Sequence, residues 1–260
     1  MICDMNTYDH NMKVNVGKIV HISTVDWYGR SACVIFFNGC PFRCIWCQNH
    51  RLLDCKRFVD ISDIEKSITD SEPFISAVVF SGGEPTMQHD ELLELAKFVK
   101  KQGLFVGIQT NGYFPDILRE LARKKLVDKI FLDIKADPLD QEKYCKITGN
   151  IYDASHRIVE SLQIGYDNYM FPNVTIEART TIFRSLNDAV EIARYLVEHG
   201  YSGTYVIQQG APWNTPDRKI RKEDILKREE MISIAKNINT DIGLKGIKIR
   251  TREKGEEYII

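Results

Sequence analysis

No apolar run in this 260-residue chain approaches the length of a membrane span, so no membrane role is expected. The first residues are polar and lack the apolar stretch of a secretory leader, which points to the reducing cytoplasm, with Met12 as an alternative start. Basic excess is missing as well: 35 Lys and Arg stand against 36 Asp and Glu, a formal net charge of -1. A broad nucleic-acid footprint would show as a surplus of positive charge, so nucleic acid is not the expected partner. Internal repeats, low-complexity tracts and long linkers are absent too. The expected organisation is therefore a flexible tail over 1–15 and a single domain over 16–260. There is also no second Cys-x2-Cys pair of the kind that structural zinc usually needs. Seven cysteines is an odd count for a disulfide framework, in a chain too large to need stapling.

What is present begins with Cys40, Cys44 and Cys47, spaced Cys-x3-Cys-x2-Cys in the run from Gly39 to Asn49. Thiolates spaced in this way converge from one short loop on three irons of a cubane cluster and leave the fourth iron open. Zinc remains an alternative, with His50 or Cys55 as the fourth ligand.

Short β-rich runs alternate with helical patterns, the signature of βα units around a parallel sheet. Strands are predicted over 16–22, 32–37, 76–80, 104–109, 129–135, 175–182, 204–208 and 246–251, as six core strands plus two additions. Helices are predicted over 90–101, with Leu92, Leu93, Leu95, Ala96 and Val99 on one stripe, and over 185–199, with Ser185 and Asp188 as start signals. The cysteine loop follows the second of these strands, which places it at the carboxyl end of the sheet, where ligands bind in this architecture.

Other polar motifs share that end. The strand at 76–80 runs into Ser81-Gly82-Gly83-Glu84-Pro85-Thr86, either a plain tight turn or a backbone grip for a charged amino-acid moiety. Thr110-Asn111-Gly112 ends the next strand. Asp133 and Lys135 stand at i and i+2 on one face of an apolar strand, and need either each other or a zwitterionic ligand. Arg179 is a similar charge in the strand after. Lys248, Arg250 and Arg252 also recur every second residue, forming either a solvated sheet face or a docking surface for an acidic partner. The 210–221 loop, rich in Gly, Pro and charge, reads as functional.

Together the cysteine loop, Gly82-Gly83-Glu84-Pro85, Thr110-Asn111-Gly112 and Asp133-Ile134-Lys135 resemble the radical S-adenosylmethionine (SAM) superfamily over roughly residues 16 to 210. The resemblance implies an α/β fold, a partial (β/α)6 barrel with small terminal additions. It implies that Cys40, Cys44 and Cys47 hold a [4Fe-4S] cluster and that SAM chelates the open iron. Trp46 and Gln48 would flank the adenine, and Gly82 to Pro85 would supply the turn in which Gly83 and Glu84 meet the methionine amino group. Asp133 and Lys135 would face the methionyl and ribose groups, Arg179 the carboxylate, and Thr110 and Asn111 the cofactor from the neighbouring strand end. More narrowly, Ser23-Thr24-Val25-Asp26 and the Asp133–Lys135 pair resemble activases of glycyl radical enzymes, nearest to those serving anaerobic ribonucleotide reductase. That implies an oxidoreductase fed by a low-potential donor such as flavodoxin or ferredoxin, with Trp27, Tyr28 and the 210–221 loop meeting the partner's loop.

Three departures stand against the activase pattern. Gln48 replaces a common His, Asp26-Trp27-Tyr28-Gly29 replaces Asp-Gly-Pro-Gly, and Gln109 replaces an Asp associated with a monovalent cation. A radical SAM enzyme acting on a small molecule or tRNA, and a non-catalytic zinc module, are the alternatives. Cys3, Cys33, Cys55 and Cys145 form no second cluster motif.

Overall fold

Parallel strands covered on both faces are written as nearly unbroken apolar runs, and that pattern sets the centre of this sheet. The computed structural model of the protein describes residues 12–166, 170–213, 215–216 and 220–260. Residues 1–11 of the expected tail, Cys3 among them, and positions 214 and 217–219 of the 210–221 loop lie outside the described residues. The strands β1 (Lys13–Ser23) and β2 (Ala32–Phe37) pair antiparallel. A short β3 (Phe58–Asp60) pairs with the start of β1 and leads into α1 (Ile61–Ser71). Lys13 to Asn15, expected in the tail, are therefore strand residues, because β3 supplies a partner that the sequence pattern does not announce.

Regular βα units follow. They are β4 (Ala77–Gly82) with α2 (His89–Lys101), β5 (Phe105–Thr110) with α3 (Pro115–Arg123), and β6 (Lys129–Asp133) with α4 (Gln141–Thr148) and α5 (Ala154–Tyr166). Then come β7 (Thr175–Ile182) with α6 (Ala189–Glu198), β8 (Thr204–Gln209) with α7 (Arg228–Ile242), and finally β9 (Ile247–Thr251) and β10 (Gly255–Tyr258). The sheet order is β10-β9-β8-β7-β6-β5-β4-β2-β1-β3. The strands from β2 through β9, leaving out β3, run parallel, so β9 extends the six-strand core by one and β10 closes its edge antiparallel.

Side-chain alternation divides the sheet into two unlike faces. Val78, Phe80, Ile130, Leu132, Ile247 and Ile249 point outward into the core formed with the helices. Ala77, Val79 and Phe131 point inward, where Trp27 from the β1–β2 loop packs on them. Trp27 is 7% exposed and lies edge-on to Phe131 at 5.5 Å and to Phe105 at 6.4 Å. Gly107 makes room for it, since a Cβ there would fall 2.9 Å from the indole. The expectation that Trp27 and Tyr28 border the substrate mouth is thus corrected: their loop joins the amino ends of the strands, opposite the cysteine loop, and Trp27 plugs the interior.

Beyond Phe131 the inner face turns ionic. Glu177 meets Lys129 at 2.6 Å and Arg179 at 2.7 Å, and the Arg179 guanidinium stacks 4.0 Å over Phe131. Burial alone would raise the Glu177 pKa, but Arg179 and Lys129 outweigh it and hold it at about 2. Since the folded value lies below the ordinary 4.5, the stabilisation is complete above about pH 4.5 and is lost as pH falls toward 2. Glu177→Gln should therefore cost on the order of 3 to 5 kcal/mol at neutral pH, and the deficit should shrink in acid. Denaturant unfolding of both proteins at neutral and acidic pH checks this; an equal deficit at both would contradict it.

Candidate active site

The loop after β2 is fastened from three sides before any ligand is considered. Gly39 N–H donates to Leu52 O at 2.9 Å, and Cys47 N–H to Cys44 O at 3.1 Å, which curls the chain between those two cysteines. Arg43 N–H donates to Thr148 O at 2.8 Å at the end of α4. The Arg43 guanidinium reaches Cys40 O and Asp54, each at 2.7 Å. All three thiols are free, with Cys44 buried and Cys40 and Cys47 half-buried. They line one cavity of about 570 Å³. Burial pushes the Cys44 thiol up to about 11 against the opposing pull of Lys135, and raises Cys40 and Cys47 as well. Taking up a metal must therefore displace thiol protons.

The glycine turn is pressed against this loop. Gly83 N–H donates to Phe37 O and Glu84 N–H to Gly39 O, both at 2.8 Å. A Cβ on Gly83 would lie 2.0 Å from Gly39 O, and one on Gly82, at φ +121°, would lie 2.2 Å from Phe37 O; only glycine fits. These amides are spent on the neighbouring backbone and Gly82 O accepts from Asn49 Nδ2 at 3.0 Å, so a ligand ammonium group would have to find the Gly83 carbonyl.

Glu84 itself is turned beneath the cavity. Its fully buried carboxylate accepts from Thr86 N–H and Oγ1, from Thr110 Oγ1 at 2.7 Å and from Asn111 N–H at 2.8 Å. It clasps the end of β4 to the end of β5, while Pro85 starts the short turn behind. Asn111, so held, donates through Nδ2 to Cys40 Sγ at 3.5 Å. Glu84→Gln should destabilise the fold by about 1.5 to 3 kcal/mol, because an amide N–H would replace an acceptor surrounded by donors. An unchanged urea midpoint would show that the carboxylate is no clasp.

Asp133 and Lys135 do face the cavity and are paired at 2.7 Å. Burial alone would lower the Lys135 pKa, but Asp133 and Cys44 beside it hold it above the ordinary range. Thr110, Asn111, Gly82 and Gly83 line the same space, and Trp46 forms an apolar wall with Phe183 at 6.0 Å. Gln48 Nε2 donates to Ala211 O at 2.7 Å, joining the cysteine loop to the loop after β8. Arg179 does not line the cavity: it is 4% exposed and buried below, with Nη2 lacking a hydrogen-bond partner among the described residues. Gln109 is bound from below by Ser81 at 2.6 Å and by the Asp26 carbonyl at 3.2 Å. The sequence reading missed Arg43, the Glu84 clasp and a far wall that includes Thr181, Phe183 and Gln208, while Trp213, on the same wall, belongs to the 210–221 loop already read as functional. For that wall the available signal was the period-two run of basic residues, of which Arg250 of β9 and Arg252 just after it line the cavity. Among the described residues no three His, Cys, Asp or Glu side chains converge on a single ion; Cys55 is exposed and the His50 ring meets Cys47 O at 3.2 Å.

Comparison with known proteins fits this geometry. The profile of the Radical SAM superfamily matches residues 34–177, which contain the cysteine loop, the glycine turn, Thr110–Asn111 and the Asp133–Lys135 pair. A Methanocaldococcus jannaschii protein named for glycyl-radical enzyme activation is 31% identical over 86% of this chain and 92% of its own length. The pyruvate formate-lyase-activating enzyme of Clostridium pasteurianum is 26% identical over 85% of each. The fold is shared with TYW1 bearing a lysine-pyruvate adduct, at a TM-score of 0.66 and 17% identity over 89% of this chain and 81% of that one. It is shared also with QueE from Escherichia coli, at a TM-score of 0.56 and 15% identity over 96% and 100%. With three thiols, a glycine turn and an Asp–Lys pair gathered at the carboxyl end of a parallel sheet, the chain belongs to the radical SAM superfamily, enzymes that work with a [4Fe-4S] cluster and SAM.

Proposed function

We propose that this enzyme generates a glycyl radical on a partner protein, an anaerobic ribonucleotide reductase, with electrons from a flavodoxin- or ferredoxin-type donor. The observation that carries the reading is the convergence of Cys40, Cys44 and Cys47 with Gly83 and the Asp133–Lys135 pair on one cavity. A relative named for glycyl-radical enzyme activation, similar over 92% of its own length, supports the substrate class.

The residues present fit the cofactors. Three reduced thiols on one loop suit a cluster with an open iron, and the Gly83 turn presents carbonyl oxygen to an amino group. When bound, the reduced cluster supplies the electron that breaks a sulfonium carbon–sulfur bond of SAM and so provides the hydrogen-abstracting carbon radical. The chain's part is to hold and shield. Asn111 bonds the Cys40 sulfur, and Lys135 places a cation beside Cys44 to balance thiolate charge. Trp46 and Phe183 give an apolar wall on which an adenine can lie. Trp27 closes the interior from the opposite end, keeping water from reaching the site through the sheet.

Anaerobic incubation of the reconstituted protein with SAM, a low-potential reductant and the ribonucleotide reductase of the same genome should yield 5'-deoxyadenosine and an electron paramagnetic resonance doublet. The doublet follows from the one α-hydrogen that a glycyl radical retains. Cys40→Ala, Cys44→Ala or Cys47→Ala should abolish iron binding and the signal, whereas Cys55→Ala and Cys145→Ala should keep both. SAM cleavage with no radical on the reductase would reject the partner, and loss of iron in Cys55→Ala would reject the three-thiol site.

A further inference from the structure

The three thiols differ in their surroundings. Lys135 stands beside both Cys44 and Cys47, and Arg43 beside Cys47, so two of the sulfurs face cations. What stands beside Cys40 is the fully buried carboxylate of Glu84. Negative charge gathered on Cys40 is therefore opposed by its neighbour, whereas charge on the other two sulfurs is favoured. Without compensation, an added electron would be disfavoured most at this corner of the site.

One residue bridges the carboxylate and the sulfur. Asn111, just after β5 and 7% exposed, donates its backbone N–H to Glu84 Oε2 at 2.8 Å and its Nδ2 to Cys40 Sγ at 3.5 Å. Its side chain is fixed from a third direction, because Tyr113 N–H donates to Asn111 Oδ1 at 2.9 Å. A backbone N–H needs an acceptor, so the oxygen of the amide must face Tyr113 and the nitrogen is left to the sulfur. Glu84 in turn is held by Thr86 and Thr110. These anchors are all protein groups, so the donor is aimed at Cys40 before anything enters the cavity. The Phe42 backbone N–H also bonds this sulfur, and Asn111 adds a second donor from a different strand end.

Hydrogen bonds to a ligating sulfur are one of the means by which a protein sets the potential of an iron–sulfur centre. The reduced state carries more negative charge, so an N–H donor on the sulfur favours it over the oxidised state. We propose that Asn111 sets the reduction potential of the [4Fe-4S] cluster through Cys40, its amide offsetting the Glu84 carboxylate and so easing entry of the electron. This inference rests on the three-thiol site and is independent of which substrate receives the radical.

Two variants separate the sulfur contact from the turn. Asn111→Ser keeps a side-chain oxygen for the Tyr113 N–H, as in a serine turn, but has no amide and is too short to reach the sulfur. Asn111→Leu keeps the bulk and removes every polar atom of the side chain. Both are reconstituted anaerobically and titrated without SAM against low-potential dyes, with the reduced cluster counted by electron paramagnetic resonance. Leaving SAM out removes any contribution from contact between Asn111 and the cofactor. Each variant should retain wild-type iron. At the wild-type midpoint its ratio of reduced to oxidised cluster should fall about tenfold, which for a one-electron couple is a shift of about 59 mV to more negative potential. Should Asn111→Leu fail to assemble, Asn111→Ser decides. Full iron with the wild-type midpoint in Asn111→Ser overturns the proposal, as does a midpoint that moves the other way. A lower melting temperature with an unmoved midpoint rejects it as well, since the residue would then serve the fold alone. Loss of iron from Asn111→Ser also overturns it, because the amide would then hold the cluster in place rather than set its potential.

Discussion

The contact on which the site depends is the docking of the Gly82-Gly83-Glu84 backbone against Phe37 and Gly39. Two amide hydrogen bonds of 2.8 Å join the end of β4 to the root of the cysteine loop, at a separation that admits no Cβ. The parallel β2–β4 register runs as far as the Phe37–Gly82 pair, so the docking carries the sheet's order past its own end and into the thiols. Glu84 extends the chain of contacts to Thr110 and Asn111, and Asn111 returns it to the Cys40 sulfur. A buried carboxylate with four donors is worth little to stability compared with an apolar residue of the same shape, but it fixes the positions of those donors.

The inner face shows the same division of labour. Its β2–β6 half is filled by Trp27 and small apolar residues, and its β6–β10 half by paired charges whose orientation is set by alternation along the strands. Charge in the interior is tolerated because nearly every group is matched: Glu177 serves Lys129 and Arg179, and Glu256 serves Lys248 and Arg250. The mismatches rise toward the cavity. Arg179 keeps an unbonded Nη2 below it, and Arg252 stands at its rim with an indole as its companion.

Much of this was legible before the structure. The strands of the βα units fall within about two residues of their predicted ends, since apolar runs bounded by turn residues are unambiguous in a parallel sheet. The five buried positions of α2 are those of its predicted stripe. The residues that the sequence left obscure are those whose role is set by backbone proximity. Glu84 reads as a ligand-facing acid until its carboxylate is seen to be enclosed. Trp27 reads as a mouth residue until its loop is seen to join the amino ends of the strands. Helix α6 begins at Ala189 rather than near Ser185 because Phe183 and Leu186 form a β-bridge. The three-residue β3 and the four-residue β10 are too short to carry a period. The cysteine spacing, by contrast, needed no tertiary knowledge, because one loop carries all three thiols to the same cavity.

The iron and sulfide content of anaerobically reconstituted Gly83→Ala, beside its circular dichroism, bears most directly on this picture. Adding one methyl group changes no ligand, no charge and no thiol, but forces the turn away from Gly39 and with it the loop that holds Cys40. Most of the iron should be lost while the secondary structure is retained. Wild-type iron and sulfide in Gly83→Ala would show that the cysteine loop assembles its cluster without the glycine docking, and would contradict the dependence described here.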